Sequence, residues 1–339
     1  MNLLLVRPDG IGDEILSLPV ATALRRLMPE AKVSFLSSAY AAPVLAQHPD
    51  LAAVLSLSGQ ERFPDLVALF RRGFDAAIFL KPFRRLMAAA FMARVPIRVA
   101  TGYRWYSLLA NRRVYEHRRD FSKHEAAYNL GLLRGLGLEP GAPVRPRLVL
   151  TDGERQEAIE RLKALPSRHI VVHPGGFSAR QWQLGHYLGL IQRLAEEGYG
   201  VVLSGSQSER DRFRAETRWA GATGGLILDV MGVVTLRQLM AIIGASQALV
   251  SGSTGPAHIA AGLGVPTVSL FDPRRNQLPT RWQPLGLGVV LRPDVPTCEK
   301  CIYEACPYWD CLARISVEDV VDRVRQVLAC PKEMAVVHV

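Results

Sequence analysis

No uninterrupted apolar run in this sequence reaches the ~18 residues that a membrane-spanning helix requires. The opening residues, Met1 to Asp9, carry no basic leader, and their apolar run is too short for a secretory signal. They read as a first core strand, and the protein is expected in the cytoplasm. No complete GxGxxG fingerprint follows that strand, nor a clear ribose-binding acid, which counts against a nicotinamide-dependent oxidoreductase. No recognisable RNA- or DNA-binding motif occurs, so nucleic acid is not an expected partner. No short-period repeat or low-complexity tract is evident either. Cysteine is scarce, with five in 339 residues. Four of them gather as Cys298-x2-Cys301-x4-Cys306-x4-Cys311, with Cys330 apart. Four thiolates can hold Zn²⁺ tetrahedrally, and a reducing cytosol disfavours disulfides. The spacing is not the paired CxxC…CxxC of a zinc ribbon, and Pro307 interrupts it. A structural Zn²⁺ at these four residues therefore stays open, with reduced or redox-linked thiols the favoured reading and no cofactor required.

Acidic residues are also in short supply in the first half. Residues 1–150 hold 21 Lys and Arg against 12 Asp and Glu, whereas the remainder is nearly balanced at 20 against 19. Residues 81–123 alone carry 11 basic side chains against Glu116 and Asp120. A single Arg of this kind is usually a solvated surface residue whose stem covers apolar area. So strong a local excess points instead to a polyanionic partner: an anionic membrane surface or a phosphorylated substrate.

Short apolar runs alternate with amphipathic stretches almost throughout, the pattern of parallel strands covered on both faces. Strands are expected at Leu3–Val6, Val33–Ser37, Ala53–Leu57 and Ala76–Leu80, with helices at Ile15–Leu27 and Phe63–Arg72. After a Pro- and Gly-rich connection over 138–146 the alternation restarts. His169–His173, Gly200–Leu203, Leu226–Val230, Ala248–Ser251 and Val268–Phe271 read as strands, and Leu184–Glu197 and Leu236–Ile243 as helices. The fold class is α/β, with two successive βα series and so two doubly wound parallel-sheet domains, 1–150 and 151–315. A final helix spans 316–330, with Val317, Val320, Val321, Val324, Val327 and Leu328 on one face.

Three loops at strand ends can carry chemistry. Gly252-Ser253-Thr254-Gly255-Pro256 leads from a strand into a short helix. A helix start built of small residues offers free N–H groups and a positive dipole end to phosphate, and Pro256 costs no hydrogen bond in that first turn. The simpler alternative is an ordinary helix cap. Arg7-Pro8-Asp9-Gly10-Ile11-Gly12-Asp13-Glu14 follows the first strand, and Asp13 is either the N-cap of the next helix or a base able to accept an alcohol proton. His173-Pro174-Gly175-Gly176-Phe177-Ser178-Ala179-Arg180-Gln181-Trp182 follows the first strand of the second series; Ser178 and Arg180 can present donors to a diphosphate, and the alternative is a surface turn anchored by Trp182.

Taken together and in order, these pieces resemble glycosyltransferase family 9, the ADP-heptose:lipopolysaccharide heptosyltransferases. The resemblance rests on Leu3–Pro19, Arg98-Val99-Ala100-Thr101-Gly102, Lys123-His124-Glu125 with Asn129, His173-Pro174-Gly175 with Arg180-Gln181-Trp182, Leu203-Ser204-Gly205, and Ser253 to Pro266. It implies a GT-B architecture of two facing Rossmann-like domains, an N-terminal acceptor domain and a C-terminal donor domain, with the last helix packing back on the first. It also implies inverting, metal-independent transfer of heptose from ADP-heptose to a lipid A-Kdo acceptor at the cytoplasmic face of the inner membrane. By position, Asp13 is then the general base, and Arg180, Ser253, Thr254, Gly255, His258, Gln207 and Met231 line the donor site. Gly12, Arg112, Arg113 and Lys123 face the acceptor. Arg180 stands where the family usually has Lys, and Ser253 where it often has Asp. The second departure leaves another nucleotide sugar as an alternative donor, and a non-catalytic anion-binding module at a membrane surface as an alternative of a different class.

Overall fold

Strand β1 (Asn2–Val6) is buried along almost its whole length and becomes the centre of a sheet. The computed structural model describes residues 1–176, 180–219, 221, 225–329 and the backbone of 337–338. Within them the chain divides into two units, Met1–Val149 and Leu150–Val339. The first unit adds β2 (Lys32–Ser38), β3 (Ala53–Leu57), β4 (Ala76–Phe79), β5 (Ile97–Thr101) and β6 (Arg112–Val114). Their order is β3-β2-β1-β4-β5-β6, all parallel, so the direction of winding reverses between β1 and β4. Leu4, Val6, Leu36, Ala77 and Phe79 pack on Leu66, Phe70, Leu86 and Met87 of the covering helices.

The second unit contains β7 (His169–His173), β8 (Gly200–Leu203), β9 (Ile227–Asp229), β10 (Ala248–Gly252), β11 (Thr267–Leu270), β12 (Gly288–Leu291) and β13 (Val337–His338). The order is β13-β12-β11-β10-β7-β8-β9, again parallel, with the reversal between β7 and β10. Two doubly wound parallel sheets are the pair of Rossmann-like units on which the GT-B class is built.

Local chemistry explains the boundaries. Helices starting at Asp152, Gln207 and Leu236 each begin with a capping box, Thr151 with Glu154, Ser206 with Glu209 and Thr235 with Gln238. The helix Gly255–Leu263 ends at Gly264, whose φ of +80° closes a left-handed cap. Residues 138–146, with three prolines, form neither helix nor strand.

Two expectations need correction. The amphipathic stretch after β1 is two helices, Ile11–Ile15 and Leu18–Leu27, because Pro19 favours a fresh helix start. The last helix, Val317–Ala329, was expected on the first unit. Its buried valines, 320, 321, 324 and 327, instead join Leu190, Ile191, Leu194 and Val268 in the second unit's own core.

Candidate active site

Ligands of doubly wound sheets bind beyond the carboxyl ends of the strands, at the point where winding reverses. In the first unit the loops there follow β1 and β4. The guanidinium of Arg7, at the end of β1 and almost fully buried, donates to Asp13 Oδ1, to Glu125 Oε1 at 2.9 Å and to Asn129 Oδ1 at 3.2 Å. Arg118 joins the same group, donating to the same Glu125 oxygen, to Asn129 Oδ1 at 2.9 Å and to the Leu80 carbonyl, just past β4, at 3.0 Å. Lys81 closes the rim on Asp9 at 2.6 Å. Arg7 is held charged by Glu125, Asp13 and Asp9 against the cost of its burial.

Asp13 lies in the first turn of the helix Ile11–Ile15. The N-cap is Gly10, so the capping role is excluded. Its side chain keeps 27% of its surface open to solvent. Burial raises its pKa above the ordinary value, outweighing the Arg7 charge that pulls it down, while Asp9 and Glu125 add to the rise. The group is therefore a carboxylate of increased basicity, fixed in direction by Arg7 and partly reachable. Glu14, beside it, is fully buried and accepts from Ser37 Oγ at 2.5 Å, Ser38 N at 2.9 Å and Asp9 N at 3.2 Å. Those bonds staple the β1 loop to the end of β2.

In the second unit the reversal brings together the loops after β7 and β10. Thr254 caps the helix Gly255–Leu263 with its backbone, and its hydroxyl is buried without a hydrogen-bond partner among the described residues. A Cβ at Gly176 would lie 2.7 Å from Thr254 Cγ2, and Gly176 adopts φ +149°, so glycine is required where the loops touch. Glu209 accepts from Gly176 N at 3.0 Å and Ser206 N at 2.7 Å, tying the β7 loop to the loop after β8. Burial alone would raise the Glu209 pKa; the Ser206 bonds and the neighbouring His173 hold it below the ordinary value. Burial also lowers the His173 pKa. The unit thus presents a preformed, glycine-lined helix start able to receive an anion.

The family model for glycosyltransferase family 9 (heptosyltransferase) matches residues 67–307. The chain belongs to glycosyltransferase family 9. It is 25% identical to lipopolysaccharide heptosyltransferase 2 of Escherichia coli over 298 residues, 80% of this chain and 83% of that protein. Its fold matches a family 9 glycosyltransferase from Veillonella parvula with a TM-score of 0.82 at 19% identity, covering 96% of this chain and 97% of that one. The structure of E. coli ADP-heptose lps heptosyltransferase II matches with a TM-score of 0.80 at 24% identity, covering 97% and 98%. As a family 9 member this chain is a glycosyl-transferring enzyme.

Within this family 9 fold, Gly12 sits beside Asp13 in the same helical turn. Ser253, Thr254 and Gly255 form the helix start, and His258 is buried one turn further in. Gln207 begins the helix after β8 and donates to Asp211 at 2.8 Å. Met231 is fully buried; its methyl packs under Gly205, where a Cβ would sit 2.5 Å away. The Arg180 backbone donates to the buried Asp272 at 2.8 Å, while its guanidinium donates to Cys301 at 3.1 Å and stands 5.7 Å from the Tyr303 ring. Ser178 and Cys330 lie outside the described residues. Among the described residues no three His, Cys, Asp or Glu side chains are placed to hold a metal ion, those of Cys298, Cys301, Cys306 and Cys311 included.

Of the expected acceptor residues only Gly12 adjoins Asp13 among the described residues. Arg112 and Arg113 lie on β6, the edge strand three positions from β1, beside a groove of about 980 Å³ that also includes Tyr115, Arg134 and Leu136. Lys123 is paired with Glu116 at 2.9 Å. Arg7, Glu14, Arg118, Glu125 and Asn129 had no assigned site role in the sequence reading. The Arg7 to Glu14 loop and the Lys123-His124-Glu125 and Asn129 segment contain all of these but Arg118, yet no local spacing links the two segments.

Proposed function

We propose that this enzyme transfers heptose from ADP-heptose to the anionic inner core of a lipopolysaccharide acceptor, lipid A-Kdo, with Asp13 as general base. The observation that carries the reading is the Arg7-oriented, partly open Asp13 carboxylate at the reversal point of the first sheet. The first unit then holds the acceptor and the second the donor. Asp13 takes the proton of the acceptor hydroxyl as its oxygen attacks the anomeric carbon. The bond to ADP breaks on the opposite face, its electron pair leaves with the diphosphate, and the anomeric centre inverts. The Thr254–Gly255 helix start and Arg180 meet the charge that develops on the leaving group. His258 faces the sugar, Gln207 the ribose and Met231 the base of the nucleotide. The enzyme works in the cytoplasm, peripherally at an anionic inner membrane. Among the described residues no helix is long and apolar enough to cross a membrane.

Asp13→Ala is expected to abolish transfer while ADP still binds by calorimetry; an active variant refutes the base assignment. Ser253 in place of the usual Asp supports a second reading, the same reaction with a different nucleotide sugar. Titrating a panel of nucleotide sugars, then assaying transfer to truncated lipopolysaccharide, separates the two.

A further inference from the structure

The surface built around residues 84–109 is charged and apolar at once, in an arrangement that core packing does not explain. The helix Arg84–Met92 ends with Phe91 and Met92, which are 49% and 56% exposed. Arg84 and Arg85 precede them by seven residues, so each lies two turns away on the matching helix face. Beside this helix runs the turn Trp105–Leu109, where Trp105 and Leu108 are 72% and 67% exposed. Arg98 joins the two segments: its guanidinium lies 5.3 Å from the Phe91 ring and Nε donates to the Leu109 carbonyl at 2.8 Å.

This is a rigid platform. Tyr106 turns inward, donating to the Pro82 carbonyl at 3.0 Å and standing edge-on to Trp105 with ring centres 5.5 Å apart. Ser107 is buried and donates to the Thr101 carbonyl at 2.5 Å. Trp105 and Leu108, three residues apart and so on one face of this tight turn, are thereby held outward. Arg84, Arg85, Arg94 and Arg104 are all exposed, and among the described residues none of them forms an ion pair. Four unneutralised guanidinium groups around four projecting apolar side chains are complementary to one kind of partner. A bilayer of anionic lipid offers phosphates to the arginines and an apolar layer to the tips, and Trp favours that boundary.

We infer that Phe91, Met92, Trp105 and Leu108 form a wedge that seats the first unit on an anionic lipid bilayer, with Arg84, Arg85, Arg94 and Arg104 engaging the headgroups. The inference deepens the proposed action at a membrane surface and rests on that reading for its purpose, not for its geometry. Neither the wedge nor these four arginines contacts the Asp13 group.

The test is co-sedimentation of the full chain with vesicles of equimolar phosphatidylglycerol and phosphatidylcholine, against vesicles of phosphatidylcholine alone. The expected result is binding to the anionic vesicles only, weakened at least about tenfold in Trp105→Ser/Leu108→Ser, the scale of exposing two large apolar side chains. A second variant, Phe91→Ser/Met92→Ser, should show the same loss, and both should keep the wild-type circular dichroism and melting temperature. Transfer from ADP-heptose to a deacylated, soluble acceptor should be unchanged in both. Equal vesicle binding by wild type and both variants overturns the wedge, as does failure of the wild type to bind. A concentration-dependent dimer that the variants abolish also overturns it, since a second copy would then be the occupant. Vesicle binding without any heptosyl transfer would sink the proposed reaction and leave the wedge standing.

Discussion

Replacing Glu14 by Gln should change how the stability of the first unit depends on pH, and the size of the change follows from its surroundings. Glu14 is fully buried beneath the β1 loop, and burial raises its pKa from 4.5 to about 7 despite the hydrogen bonds it accepts from Ser37, Ser38 and Asp9. The folded carboxyl thus holds its proton more tightly than the unfolded one. Its contribution to stability is full below about pH 4.5 and is lost as pH rises to about 7, because only the unfolded chain releases the proton across that window. A shift of this size corresponds to roughly 3 kcal/mol. Gln has nearly the same shape and no proton to lose. The stability difference between Glu14→Gln and wild type should therefore swing by roughly 3 kcal/mol in favour of the variant from about pH 4.5 to about pH 7.5. Urea denaturation of both proteins across that range, followed by circular dichroism, measures it. A difference that stays constant with pH refutes the argument, because it would mean that the buried carboxyl titrates alike in the folded and unfolded chains. ADP affinity should not move with this substitution, since the proposed donor site lies in the other unit.

Three other outcomes follow from the same geometry. Because the Asp13 pKa is raised and the proposed base must be ionised, kcat/KM should fall on acidification at a pH above the ordinary aspartate value of 3.8; a pH–rate profile whose acid limb lies at or below that value contradicts the description of the group. Arg180→Ala should weaken ADP binding by about 10- to 100-fold, the worth of one charge-assisted contact, and calorimetry showing unchanged affinity would confine Arg180 to its contacts with Cys301 and Tyr303. Arg112→Glu with Arg113→Glu, in the basic groove beside β6, should weaken association of an extended anionic acceptor more than ADP binding; equal loss of both, measured by separate titrations, would remove these residues from acceptor recognition.

Much of the fold was legible without coordinates. Strands β1, β3, β7 and β10 fall within a residue of where their apolar runs end, and the three loops singled out for chemistry all sit at carboxyl ends of strands. Apolar runs, caps and glycine turns are local signals, and local backbone preference decides them. Strands β5 and β6 were missed because their arginines read as a charge run; β6 is the edge strand, whose open side allows exposed arginines, whereas β5 lies between β4 and β6. The last helix was legible as a helix, but which core would receive its valines was not.

The amino-acid order alone determined two doubly wound sheets, a carboxylate after the first strand and an anion-ready helix start after the tenth. Only the tertiary structure decided that Asp13 is oriented by Arg7, and that Arg7 and Arg118 converge on Glu125 and Asn129. It also decided that Arg112 and Arg113 stand apart on an edge and that Arg180 reaches Cys301. Side chains more than a hundred positions apart meet through strand order and packing, and periodicity within a dozen residues carries no information about either.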